Sequence, residues 1–241
     1  MINRWQNWHN GPASHAHILD GGRASLGAPL TRFWRAIRVL KGVAETTQAN
    51  PVTSYFDELG RILAAARVSD GEGRPLSLEQ GFEWVADTAR DAHSAGKKVV
   101  LIGNGGSAAV ASHHAIEFLK NGGIRALSLN DPAAITALSN DFGYANVYSE
   151  QLKAQGLPGD MLIAISSSGQ SVNILKSVET ARTQGMTVCT LSGFQPDNLL
   201  RGRGDVNFYV NSNQYGFVEL AHHALIQAIL DIYVFPRRPT K

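Results

Sequence analysis

Apolar residues recur at helical spacing in two stretches before the chain turns strand-like. From Pro51 to Val68 they fall at Tyr55, Leu59, Ile62 and Leu63, and from Leu78 to Ala95 at Phe82, Val85, Ala89 and Ala92. Positions three and four apart share a helix face, so two amphipathic helices are predicted, joined by the turn-rich stretch from Ser69 to Pro75. From Lys98 onward, short apolar runs alternate with helical stretches. The runs Val99–Ile102, Ala126–Leu129, Met161–Ser166, Thr187–Leu191 and Val206–Val210 suit buried parallel strands. Helices are predicted over Ala108–Asn121, Ala133–Leu138, Ser171–Gln184 and Gly216–Val234, with a short one at Asp197–Leu200. This alternation predicts an α/β fold, a doubly wound five-stranded parallel sheet preceded by N-terminal helices. Such sheets bind ligands beyond the carboxyl ends of their strands.

Composition divides the chain in two. Its 241 residues, 44% apolar and 17% charged, allow one such domain with appendages. The net charge of +2 is uneven: residues 1–50 hold six Lys and Arg against two Asp and Glu, so residues 51–241 sum to −2. The first segment is thus a basic extension, and it carries Trp5, Trp8 and Trp34, three of the four tryptophans. From Leu30 to Val43, Phe33, Trp34, Ile37 and Leu40 interleave with Arg32, Arg35, Arg38 and Lys41. That pattern suits either a docking helix for a partner or membrane surface, or a helix packed on its own subunit. Nothing in the remaining body suggests a nucleic-acid groove. The single cysteine, Cys189, lies in an apolar run and is expected to be a buried, inert thiol. No run approaches the ~20 apolar residues of a membrane span, and no secretory h-region opens the chain, so a cytoplasmic protein is expected.

Two loops carry the candidate chemistry. Gly103-Asn104-Gly105-Gly106-Ser107 follows one predicted strand and opens a helix in which His113 and Glu117 lie four apart, on one face. Strand, glycine turn and helix together direct backbone N–H groups at an anion. The pair can hold metal or move protons, or it can be a structural pair on a helix surface. The second loop, Ser166-Ser167-Ser168-Gly169-Gln170-Ser171, follows another strand. Its hydroxyls and free N–H groups at a helix start, with no basic residue among them, form either a nest for a phosphate dianion or a serine-rich helix cap. The lysine of a nucleotide-binding P-loop is absent, which favours a phosphorylated sugar and predicts no nucleotide cofactor.

These motifs, followed in order by Asn140-Asp141-Phe142-Gly143 and the second loop, resemble the sugar isomerase (SIS) domain, and within it the phosphoheptose isomerases. The resemblance spans about residues 52–235 and implies two parts: a basic Trp-rich extension over 1–50 and a SIS domain over 51–241. It implies a flavodoxin-like sheet and a homotetramer with sites at subunit interfaces. It also implies isomerisation of sedoheptulose 7-phosphate to glycero-manno-heptose 7-phosphate through an enediol. Carried over by position, Asn104, Gly105, Gly106 and Ser107 would line the sugar, and Asn140 and Asp141 would meet its hydroxyls. Ser166, Ser167, Ser168 and Ser171 would hold the phosphate. His113 would ligate zinc, with Glu117 as a second ligand or as the general base.

The last helix departs from the family pattern, which places a Gln near its start and, eight residues on, a His that ligates zinc or acts as acid/base. Glu219 and Gln227 stand at those positions. Glutamine neither titrates near neutral pH nor ligates zinc well. The candidate catalytic group is therefore Glu117, Glu219, His223 and Gln227, with Glu219 or His223 replacing the missing histidine. Zinc on His113 and Glu117 lacks a third ligand. Gln227 also keeps open a rival in which the domain binds a sugar phosphate or a partner without chemistry, as a replication-initiator-associated SIS protein does.

Overall fold

The computed structural model describes residues 50–235, so the aromatic and basic helix expected at Leu30–Val43 lies outside the described residues. The elements, in chain order, begin with α1 (Pro51–Ala64), β1 (Arg67–Asp70), β2 (Pro75–Leu76) and α2 (Leu78–Ser94). Then follow β3 (Val99–Gly103), α3 (Gly106–Lys120), β4 (Ala126–Ser128), α4 (Pro132–Phe142), a 3-10 turn (Tyr144–Asn146) and α5 (Val147–Gln155). The chain continues through β5 (Met161–Ser166), α6 (Val172–Thr183), β6 (Thr187–Gly193), β7 (Val206–Val210) and α7 (Tyr215–Ile229), which runs into a π turn (Leu230–Val234).

The sheet has seven strands in the order β2-β1-β7-β6-β5-β3-β4. The five expected parallel strands are all present, in the flavodoxin-like arrangement β4-β3-β5-β6-β7. Along each central strand alternate side chains enter opposite cores, as the period of two requires. Val99 and Leu101 join α2, α3 and α7 on one face, while Val100 and Ile102 join α5 and α6 on the other. Cys189 is buried among the first set, and burial pushes its thiol pKa up, as expected of an inert thiol.

The structure departs from the sequence expectations in four places. Helix α1 stops at Ala64, because Arg67–Asp70 pairs antiparallel with β7 and, through a turn held by Asp70, with β2. The Asp70 carboxylate accepts from the N–H groups of Glu72 and Arg74 and pairs with the Arg74 guanidinium at 2.6 Å. Two helices therefore do not run uninterrupted to the first strand. Asp197–Leu200 is a turn rather than a helix, with Asn198 donating to the Gly193 and Gln195 carbonyls. An unforeseen helix, α5, seats Val147, Tyr148 and Leu152 in the second core. The stretch Tyr215–Val234 is long and apolar enough, by length and composition, to cross a membrane, contrary to the sequence expectation. Phe217, Val218, Ala221, Leu225, Ile226 and Ile229 from it are buried in the first core.

Candidate active site

The strand order reverses between β3 and β5, so the connections leaving their carboxyl ends diverge and open a crevice. The two motif loops leave those two ends. Around them lies a pocket of about 120 Å³, lined by Asn104, Ser107, Ser166, Ser167, Ser168, Ser171, Tyr215 and Glu219.

The β3 loop is shaped by glycine. Gly105, at φ 55 and ψ −122, sits in backbone space that a side chain disfavours, and it ends the strand at an abrupt turn into α3. At Gly106 the reason is close approach: a Cβ there would lie 2.3 Å from Glu219 Oε2. The carboxylate from α7 thus rests on the bare backbone at the start of α3. Asn104 is clamped, its amide exchanging hydrogen bonds with Asn173 at 2.9 and 2.8 Å and accepting from the Tyr144 hydroxyl at 2.9 Å. The Tyr148 hydroxyl donates to the Gly103 carbonyl, and burial pushes its pKa up to about 12.

The β5 loop supplies hydroxyls. Ser166 donates to Ser171 at 3.1 Å, while Ser168 accepts from the Gln170 N–H at 3.2 Å. The Ser167 hydroxyl is buried without a partner among the described residues. Neither α3 nor α6 has a side-chain cap at its N-terminus. Two helix starts without an N-cap side-chain bond, a free hydroxyl and no cation in the lining make a cradle suited to an anion, although the Ile174 N–H is taken by Asn173 Oδ1 at 3.0 Å. The serine-rich cap is thereby excluded for Ser171, which makes no capping bond.

The remaining candidates lie elsewhere. Asn140 and Asp141 are exposed near the end of α4, bonded to each other at 2.9 Å, and do not line the pocket. His113 and Glu117 also lie outside its lining, and the Glu117 carboxylate accepts from the Asn121 amide one turn along α3. Gln227 donates to Asp231 at 2.9 Å, so position 227 is engaged along its own helix. His222 is fully buried with Nε2 3.1 Å from the Ser192 carbonyl, and burial holds its pKa down at about 4. It faces away from the site, as its place on the helix suggests. His223, half-buried, stacks on His113 with centroids 5.1 Å apart; burial and then the His113 charge lower its pKa. The pair His113 and Glu117 therefore gains no ligand from position 227.

Sequence reasoning missed Tyr215, Asn173, Tyr144 and His114. Asn173 could have been noticed as a polar residue in the first turn of an otherwise apolar-faced helix. The two tyrosines gave no local signal.

A model of the SIS domain matches residues 55–193. Phosphoheptose isomerase of Shewanella denitrificans is 35% identical over 173 residues, 68% of this chain and 86% of that protein. The solved phosphoheptose isomerase of Neisseria gonorrhoeae superposes with a TM-score of 0.65 at 31% identity, covering 75% of this chain and 96% of that one. Its counterpart from Francisella tularensis gives 0.65 at 27% identity, covering 76% and 95%.

Proposed function

The chain belongs to the SIS domain family, and from that premise we propose that it is a sugar-phosphate aldose–ketose isomerase, converting sedoheptulose 7-phosphate to glycero-manno-heptose 7-phosphate. The observation that carries the reading is one pocket holding both an uncharged phosphate nest and a carboxylate, Glu219. The free Ser167 hydroxyl, the other serines of the β5 loop and the start of α6 hold the phosphate. Asn104, locked by Asn173, orients the sugar.

Isomerisation needs a base for the carbon-bound proton and a carrier between the two oxygens. Glu117 takes the C1 proton and returns it to C2, a role supported by the motif match; Glu219 shuttles the hydroxyl proton, supported by its place in the pocket. The enediol forms and collapses without net redox change. The proposal includes a cytoplasmic homotetramer. Its support is the exposed apolar side chains of Ile116 and Leu119 on α3 and Leu220 on α7, which a second copy would cover. Asn140, Asp141, His113 and Glu117 would then meet a sugar at the seam between subunits.

Turnover of sedoheptulose 7-phosphate by the full chain, with Glu117→Gln and Glu219→Gln alongside, tests this. Each substitution should lower kcat by roughly 10²- to 10⁴-fold, and solvent deuterium should enter the product. Parent-level turnover in both variants would remove the proposed mechanism. The second reading, a sugar-phosphate-binding protein without chemistry, is favoured by Gln227 itself, whose amide does not titrate and is bonded to Asp231 along its own helix. A parent that binds the sugar phosphate and turns it over only as Gln227→His would establish it.

A further inference from the structure

The sequence reading paired His113 with Glu117, yet the fold surrounds His113 with two other histidines. His114 follows it on α3, and His223 reaches across from α7. Ring centroids lie 5.1 Å apart for His113 and His114, 5.1 Å for His113 and His223, and 4.7 Å for His114 and His223. Their ligand nitrogens all fall within 4.8 Å of one another.

His114 distinguishes a site from a mere stack of rings. Its Nδ1 lies 2.8 Å from the Val110 carbonyl, which can only accept, so Nδ1 carries the proton and Nε2 keeps its lone pair. That Nε2 is buried with no partner among the described residues, on a side chain 0% exposed. Ring packing alone leaves this buried acceptor unsatisfied, which is unfavourable. A cation among the three rings satisfies it. The backbone bond through the other nitrogen is also how metal-bound imidazoles are oriented.

We propose that His113, His114 and His223 form a binding site for a divalent transition metal of the zinc class. Three imidazoles suit zinc, nickel or copper and leave a position open for water or a substrate oxygen. Nitrogens on a tetrahedral zinc sit about 3.3 Å apart, within reach of small side-chain rotations from the present spacing. The set shares only His113 with the ligands that the family resemblance implies. Position 227 lost its histidine, and His223, one turn earlier on α7, stands in its place. An ion there supplies a Lewis acid one helical turn from Glu117 along α3 and from Glu219 along α7.

The test is a zinc titration of the chelator-treated full chain by calorimetry, with no sugar present, repeated with cobalt(II) for its visible spectrum. One equivalent per chain is expected, with a tetrahedral cobalt spectrum. His223→Phe, which keeps a flat ring on the stack, and His114→Gln should each weaken binding at least about tenfold. Should His114→Gln fail to fold, the half-buried His223→Phe decides alone. Binding unchanged in His223→Phe overturns the site, as does a parent that binds no zinc while Gln227→His does. The outcome is separable from the isomerase reading. An inactive protein that binds zinc through these histidines supports the site, and an active one that binds none overturns it.

Discussion

The serine-lined pocket and the histidine-bearing face of α3 and α7 begin within a few residues of each other but are built by different means. The pocket is made of backbone and short side chains fixed by the sheet. Asn104 is clamped from two sides, Glu219 lies on Gly106, and two helix starts point inward. The histidine face is made of longer side chains on helix surfaces, half open and bonded mainly along their own helices, as Glu117 is to Asn121 and Gln227 to Asp231. The pocket's shape therefore rests on the ends of β3 and β5, whereas the exposed and half-buried side chains His113, Glu117, His223 and Gln227 can change with little effect on the core, which the fully buried His114 cannot. The proposed phosphate cradle thus rests on the architecture, and the proposed acid/base or metal set rests on a few side chains.

The sharpest way to break this contrast is to weaken the sheet at the edge opposite the pocket. The Asp160 carboxylate is fully buried. It accepts from the N–H groups of Lys98 and Leu157 at 3.0 and 2.8 Å and pairs with Lys98 Nζ at 2.6 Å. Asp160→Ala should cost roughly 3 kcal/mol of unfolding free energy, read by denaturant melts, with kcat kept at temperatures where the protein is folded. A kcat that falls in proportion would show that the pocket is not insulated from the far edge.

A smaller effect is expected at Gly106. In Gly106→Ala the new methyl collides with the Glu219 carboxylate and must displace it. Turnover should drop by about 10²-fold, with the loss in kcat rather than in KM. Loss of folding instead would mean that Glu219 holds α7 on α3 rather than serving chemistry. Ser167→Ala removes a buried hydroxyl that has no protein partner, so stability should hold or rise slightly. The KM for the sugar phosphate should rise by about tenfold or more, in keeping with one lost bond to a charged group. An unchanged KM would place the phosphate elsewhere.

Much of this was legible in residue order. Strands β3, β5, β6 and β7 are runs buried almost throughout, the edge strand β4 is half-buried, and both loops announced themselves by glycine and serine at strand ends. The antiparallel strand β1 was not legible, because Arg67–Asp70 becomes a strand through pairing with Val206–Tyr209, far along the chain. Helix α5 was missed because its buried residues, Val147, Tyr148, Ser149, Gln151 and Leu152, mix polar with apolar and show no clean stripe. Tyr215 lines the pocket, and Asn173 holds Asn104 in it, only because α6 and α7 return to the same sheet edge.

Residue order alone carried the alternation of strands and helices, the two glycine- and serine-rich turns and the family, since each is written in neighbouring residues. Only the packed structure decided that the carboxylate lining the serine pocket is Glu219 and that His223 of α7 stacks on His113 of α3. The physical reason is that these are contacts between α3 and α7, whose axes and rotation are set by core packing more than a hundred residues apart. Local periodicity says which helix face is buried, and only the packed core says which side chains of two such faces meet.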